Sequence, residues 1–191
     1  MMLGYLPWFA LAEAVSKSSS LLLDKAVLIT KVMFPVEILP VVGTLVPYLT
    51  HLVGFSLLLA YLGFDGNFSL LWPWIPLIYL MQFLFTMGLV ATLSALSVFL
   101  RDLQQLISLG ITIWFFLTPI IYPISLIENE DIKSLFLLNP MHSFVTLYRD
   151  IVLLGEISYL NLLIVITASI CSYTLGGWLF IRIKHAFGDV L

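Results

Sequence analysis

Residues able to make specific polar contacts are few in this chain, and they cluster. Between Asp24 and Pro40, in the stretch DKAVLITKVMFPVEILP, two lysines, two acids and two prolines interrupt an otherwise apolar sequence. Lys25 and Lys31 flank the apolar run Ala26 to Ile29, which predicts a short amphipathic segment with basic ends, of the kind that lies among lipid headgroups. Pro35 and Pro40 restrict the backbone on both sides of Val36 to Leu39 and are expected to break helix continuity before the next apolar run. Two readings stay open: a linker whose lysines face lipid phosphates, or a stiffened elbow that receives force from a soluble partner. A second set precedes it, where Glu13, Ser16, Lys17, Ser20 and Asp24 recur at steps of three or four and share one helical face. Glu13 and Lys17 have the i, i+4 order of a salt bridge. An unpaired charge at the centre of a membrane helix costs about 2.5 to 3.5 kcal/mol on insertion scales. The stripe must therefore face protein, water or the membrane boundary: the helix is either leaving the bilayer there or lining a conduit.

Catalysis has no visible carriers. The sequence holds no GxxxxGK[ST] loop, no HExxH, no GxSxG and no pair of intramembrane acids facing a histidine, so neither nucleotide hydrolysis nor intramembrane catalysis is expected. No bound cofactor or metal is expected of this chain either. His51 reads as a packing residue, because no acid or second histidine sits at helical spacing from it. Cys171 has no second cysteine for a bridge or a CxxC site and reads as a small core residue. No internal or inverted repeat is visible, which weakens a secondary-transporter reading. If the chain moves a substrate, its energy comes from elsewhere.

These residues must be positioned by membrane helices. With 191 residues, 61% of them hydrophobic and only 10% charged, and a mean hydropathy of +1.11, the chain cannot hide its apolar side chains inside a soluble globule. Five segments approach the roughly 20 apolar residues that a spanning helix needs: Leu6 to Leu23, Val41 to Leu62, Leu71 to Leu100, Leu103 to Tyr122 and Tyr159 to Ile181. No sustained period-two alternation supports a barrel. The net charge of −3 and the lack of a basic cluster exclude a nucleic-acid partner from the expectation. The expected architecture is an all-α polytopic transmembrane helix bundle in one domain over residues 1–191, with a re-entrant helical hairpin before the last span.

Lysine and arginine placement sets the expected orientation. Lys17, Lys25, Lys31, Arg101, Arg182 and Lys184 fall on one side, and Lys133 and Arg149 on the other. By the positive-inside rule the first side, with the C-terminus, is cytoplasmic. An odd number of spans then puts Met1 outside with no signal peptide or basic flank, and a further cytoplasmic segment and span ahead of Met1 are expected. Pro47 is expected to kink the second span, and the FDGN sequence after it reads as a turn. Trp72 and Trp74 mark an interface belt, with Pro73 and Pro76 at a helix start. Arg101 and Asp102 stop the third span at a very short inner turn, Arg101 as an interface anchor or as a contact to a partner or to the elbow. Pro119 and Pro123 break the fourth. Across 123–158, Ser134 to Leu138 and Phe144 to Leu154 are each too short to cross, and the break at Asn139 and Pro140 predicts a hairpin dipping in from outside. Irregular backbone at that depth is tolerated only in protein or beside a wet cavity.

Taken together, these stretches resemble the membrane subunit of ABC-2 type transporters, in the branch that exports polysaccharides such as lipid-linked O-antigen and teichoic acid chains. Leu28, Ile29, Lys31, Phe34, Pro35, Glu37, Leu39 and Pro40 are similar to that family's LI-x-K and FP-x-E-x-LP inner-loop pattern. Phe99, Arg101 and Asp102 resemble its FxRD turn, Thr118, Pro119, Tyr122 and Pro123 its SP-x-x-YP segment, and Leu138, Asn139 and Pro140 its LNP. Tyr148 to Gly155 and the closing FGDVL are similar to its later segments, so the resemblance runs in family order from Leu6 to Leu191. Departures are Thr30 and Val36, where basic residues are common, and Ser97, where asparagine is common; they bear on charge contacts to a partner and not on the class.

The resemblance implies a six-span subunit that dimerises around a central channel in the bacterial inner membrane, with a separate ABC ATPase, carrying ATP and Mg, under each copy. Lys25, Lys31, Phe34, Pro35, Glu37 and Pro40 would dock the elbow on that ATPase, helped by Arg101 and Asp102. Trp114, Phe115, Phe116, Pro119, Tyr122, Pro123, Asn139, Pro140 and Arg149 become candidates for the channel and its outer gate, since sugar rings stack on aromatic faces; lipid or core packing explains the same aromatics. The substrate implied is a lipid-linked polysaccharide. A drug or small-lipid exporter of the same fold, and a non-transporting membrane scaffold, are the alternatives.

Overall fold

The computed structural model describes residues 2–31, 34–66, 69–100, 102–121 and 136–190, without the side chains of Leu28, Thr30, Lys31 and Asp189. Among the described residues there are helices and turns and no strand, as the hydropathy pattern predicts. Helix α1 is Met2–Leu21, followed by a 3-10 turn at Leu23–Lys25 and the short α2, Ala26–Lys31. Helix α3 is Ile38–Phe64. A 3-10 turn at Trp72–Trp74 leads into α4, Ile75–Phe99, which has Pro76 in its first turn, where a missing N–H costs nothing. Helix α5 is Leu103–Phe116, α6 is Pro140–Arg149 and α7 is Tyr159–Ile183, the last extended by a 3-10 turn and the four-residue α8, Phe187–Val190.

Three of these, Ile38–Phe64, Trp72–Phe99 and Tyr159–Ala186, are long and apolar enough to cross a membrane, so the chain is a multi-pass membrane protein. The other two expected spans depart from that pattern for different reasons. Helix α1 has the length, with 20 residues, but carries the polar stripe. Helix α5 has only 14 residues, about 21 Å of rise, against a hydrocarbon core of about 30 Å. It stops at Phe116, short of the expected Tyr122, where Leu117 and Thr118 turn towards Pro119. Gly66, in the predicted FDGN turn, has the positive φ of 86° that favours glycine there.

Two elements lie at the centre. Along α1, Trp8, Ala10, Leu11, Ala14 and Val15 are buried, and along α6 Met141 to Val145, Leu147 and Tyr148 are buried. The apolar side chains Trp8, Leu11, Val15, Met141, Phe144 and Tyr148 share one core with Phe55 of α3, Ile78, Phe85 and Val90 of α4 and Val165 of α7. A second, smaller cluster closes the end of the bundle that carries Lys25 and Lys184: Leu22, Leu39, Ala91, Ala95, Val98, Phe180 and Phe187, with Phe34, Val36 and Ile183 against it.

Helices α4 and α7 make the most intimate contact. A Cβ on Gly176 would stand 2.1 Å from the Gly88 carbonyl oxygen, and one on Gly88 2.2 Å from that of Ser172. Ser172 Oγ also donates to Phe85 O at 2.7 Å. Lipid is as apolar as leucine, so membrane helices associate through close backbone approach and interhelical hydrogen bonds, and small residues at this crossing permit both.

Two expectations are corrected. Pro40 does not end a helix; it is the third residue of α3, and its carbonyl accepts from Thr44 Oγ1 at 2.8 Å. Cys171 is exposed on α7 and not a core residue.

Candidate functional site

The polar stripe of α1 is tied to α3. Lys17 Nζ donates to Glu13 Oε1 at 2.6 Å, the predicted i, i+4 pair, and His51 Nε2 lies 2.9 Å from Glu13 Oε2. The ring of His51 stacks on Phe9, and Phe9 on Tyr5 at a centroid distance of 5.8 Å. Tyr5 in turn meets Phe115 of α5. One open face of α1 therefore carries rings, a carboxylate and an ammonium, and the imidazole of α3 lies against it. Sequence spacing missed the His51 contact because its acid sits 38 residues away on another helix.

Deeper in the bundle, Gln82 of α4 organises a buried network. Its Nε2 donates to Pro7 O at 2.7 Å, and its Oε1 accepts from Tyr148 Oη of α6 at 3.0 Å. Tyr48 of α3 donates to Gln82 O and shares a 2.6 Å bond with Thr86 Oγ1, while Tyr79 donates to Tyr48 O. Helices α1, α3, α4 and α6 thus share one set of bonds. Apart from Tyr148, which opens a family-like segment, none of these residues stands out in the sequence, because a lone glutamine or tyrosine in an apolar run has no local signature.

The expected gate residues cluster around the start of α6. Asn139 caps it, accepting from Met141 N at 3.1 Å, and Pro140 occupies the first helical position. The same Oδ1 accepts from Trp114 Nε1 at 2.9 Å, and Nδ2 donates to Thr118 Oγ1 at 2.9 Å, so one amide fastens the end of α5 to the start of α6. Arg149, at the far end of α6, donates to Pro119 O at 2.9 Å and Ile120 O at 2.6 Å. Beyond it the backbone widens into a π turn over Asp150–Leu154 and closes at Gly155, whose φ is 67°. With ten residues, α6 rises about 15 Å and cannot cross. His142 Nδ1 and Ser143 Oγ, both buried on α6, meet no hydrogen-bond partner among the described residues. Of the aromatic candidates, Trp114 packs edge-on to Trp8, Phe115 against Tyr5 and Trp8, and Phe116 is exposed. Tyr122 and Pro123 lie outside the described residues, as do Ser134 and Leu135 of the hairpin's first arm.

At the basic end the elbow is a 3-10 turn, α2 and a tight turn at Val36 and Glu37 before α3. Lys25, Pro35 and Asp102 are exposed, Phe34 is half-buried against the second cluster and Pro40 is buried. The side chain of Lys31, and Arg101, lie outside the described residues. Glu37 is engaged within the chain: Lys184, at the end of α7, donates to its Oε1. That hydrogen bond from Lys184 holds the Glu37 carboxyl below its ordinary value. Among the described residues no three histidine, cysteine or acidic side chains group as a metal site.

Residues 1–153 match the ABC-2 type transporter family. An O-antigen export system permease protein, RfbA, of Myxococcus xanthus is 39% identical over 157 residues, 79% of this chain and 59% of that protein. Two of the same name from Klebsiella pneumoniae are each 30% identical over 190 residues, which cover 98% of this chain and 73% of theirs. The chain spans between 59% and 73% of the length of these relatives. Family match and relatives agree with the all-helical, multi-pass bundle, and the chain belongs to the ABC-2 type transporter family.

Proposed function

We propose that this chain is the membrane-spanning permease subunit of an ATP-driven exporter that moves a polysaccharide, in the lipid-linked O-antigen or teichoic acid class, outward across a bacterial inner membrane. The observation that carries the reading is the open face of α1, where Phe9, Glu13 and Lys17 meet His51 of α3 on a bundle whose exposed side chains are largely apolar. Charges on a membrane helix are costly in lipid and belong in a wet passage, against protein or at the membrane boundary. Rings interleaved with a carboxylate, an imidazole and an ammonium suit hydroxyl-rich sugar units, which offer one apolar face and many hydrogen-bonding groups. The names of the Myxococcus and Klebsiella relatives support the substrate class.

In this reading two copies enclose the passage, and ATP with Mg sits on a separate ABC ATPase beneath each copy. No P-loop is present in this sequence. The C-terminus and the elbow are cytoplasmic, and α6 with its π turn belongs to the outer gate. Closure of the ATPases around nucleotide shifts the elbow and, through it, the helices that bound the passage. The test is export of a labelled polymer, against dye efflux, from proteoliposomes holding the chain with its co-purified ATPase. ATP-dependent polymer export is the expected result. Dye efflux without polymer export would sink the substrate class, and co-purification of no ATPase would sink the exporter.

A further inference from the structure

The candidate docking acid of the elbow has an intramolecular partner, and that partner terminates the last long helix. Glu37 precedes α3, Lys184 follows α7, and they are 147 residues apart in sequence. The pair sits beside the second apolar cluster, in which Phe187 packs edge-on to Phe180 at 5.6 Å and lies 6.2 Å from Phe99 of α4. Phe34 and Val36 of the elbow rest on this cluster. Helix α7 cannot slide freely past α4, because backbone meets backbone at Gly88 and Gly176.

We propose that Glu37 and Lys184 form a coupling clamp that makes the elbow and the α4–α7 pair move together, so that Glu37 is a positioning residue and not itself an ATPase contact. This rests on the transport reading above. The Glu37 side chain is 42% exposed and that of Lys184 28% exposed, and ion pairs in such settings add little to stability. What such a pair can set is the resting position of one element against another. The cluster supplies adhesion without direction, whereas the charge pair fixes which point of the elbow meets the end of α7.

The test uses the complex of the full chain with its ATPase in nanodiscs for ATP turnover and in proteoliposomes for export. E37K and K184E are made singly and together. Each single reversal should lower polymer exported per ATP hydrolysed by about tenfold, within the usual range of coupling between sites, with ATPase co-purification retained. The double swap should recover most of that loss, because the pair is restored with its ends exchanged. Unaltered coupling in both singles would overturn the clamp. So would loss of the ATPase from E37K that K184E does not repair, since Glu37 would then touch the partner directly. If the wild type hydrolyses ATP but exports no polymer, the substrate reading fails alone. The clamp is then read from stimulation of the ATPase by this chain, lost in each single reversal and recovered in the swap, or else refuted by its absence.

Discussion

Helix α7 and helix α5 both join the bundle, in opposite manners. Helix α7 meets α4 through Gly88, Ser172 and Gly176 with no room for a methyl group. Helix α5 buries only Ile107 fully. An apolar cleft of about 400 Å³ bounded by Val15, Leu89, Leu93 and Trp114 opens beside it, and Gln104, Gln105, Ser108 and Thr112 form a polar groove on its open side. The first contact is backbone against backbone; the second helix is held by the Asn139 bonds at its end and by ring contacts to α1. A transporter needs both: a part that carries displacement without loss, and a part whose faces are free to change neighbours.

The sharpest way to break this contrast is to add one methyl group. Gly176→Ala or Gly88→Ala forces α4 and α7 apart, with an expected loss of about 1–3 kcal/mol or more from overpacking, read as a lowered unfolding midpoint in detergent. Gly177→Ala, whose Cβ meets nothing within 4 Å, is the control and should hold the midpoint or raise it slightly. Equal midpoints for Gly176→Ala and Gly177→Ala would show that the crossing is not locked.

Next in size is Gln82→Leu, which leaves Pro7 O and Tyr148 Oη without their bonds. The expected cost is about 1–3 kcal/mol for stranded buried groups. Paired with Tyr148→Phe, which removes one of those stranded groups, the total should be less than the sum of the single effects. A double-mutant cycle that closes to zero would mean the network is not shared.

On α5 the expectation reverses. Gly110 has open space around its Cβ direction, so Gly110→Ala should not destabilise and should gain up to about 1 kcal/mol from helix propensity. Thr112→Leu on the polar groove should be equally mild for folding, yet lower polymer export if the groove faces the passage. Unaltered export in Thr112→Leu would leave α5 as a lipid-facing helix.

The smallest expected effect is the pH dependence of the Glu37–Lys184 pair. Lys184 lowers the folded carboxyl below the reference value of 4.5, so the unfolded chain takes up its proton first as pH falls. The stabilisation is therefore complete above pH 4.5 and disappears as pH drops through the lowered folded value. Lys184→Gln should flatten that part of the stability profile between pH 5 and 3, measured by unfolding midpoints across pH. An unchanged profile would mean the pair is too exposed to matter thermodynamically.

Much of the fold was legible, and the misses have local causes. Long apolar runs gave α3, α4 and α7 within a few residues of their ends. The apolar residues between Leu117 and Ile121 extend the expected fourth span past the helix, which ends at Phe116, because Pro119 and the Trp114–Asn139–Thr118 bonds hold the chain out of helix there. Asn139 and Pro140 were correctly read as a break, and their geometry is that of a helix cap. His51 packs on Phe9 as expected of a packing residue, and only its acid partner is invisible in the sequence, because that carboxylate comes from another helix. Cys171 was read inward because period 3.6 does not say which side of an all-apolar helix faces the bundle.

The sequence by itself determined that this chain is a membrane-spanning helical protein with a basic, proline-bounded elbow and a broken segment before its last helix. Those properties are local: a bilayer demands that each segment satisfy its own backbone, so composition and length suffice. Only the tertiary structure decided the partners. That Glu37 meets Lys184, that Gln82 joins four helices and that Gly88 meets Gly176 follow from how helices of similar hydropathy pack against one another. In lipid the apolar surface of one such helix is worth as much as another's, so the choice falls to close-fitting backbone and a handful of hydrogen bonds.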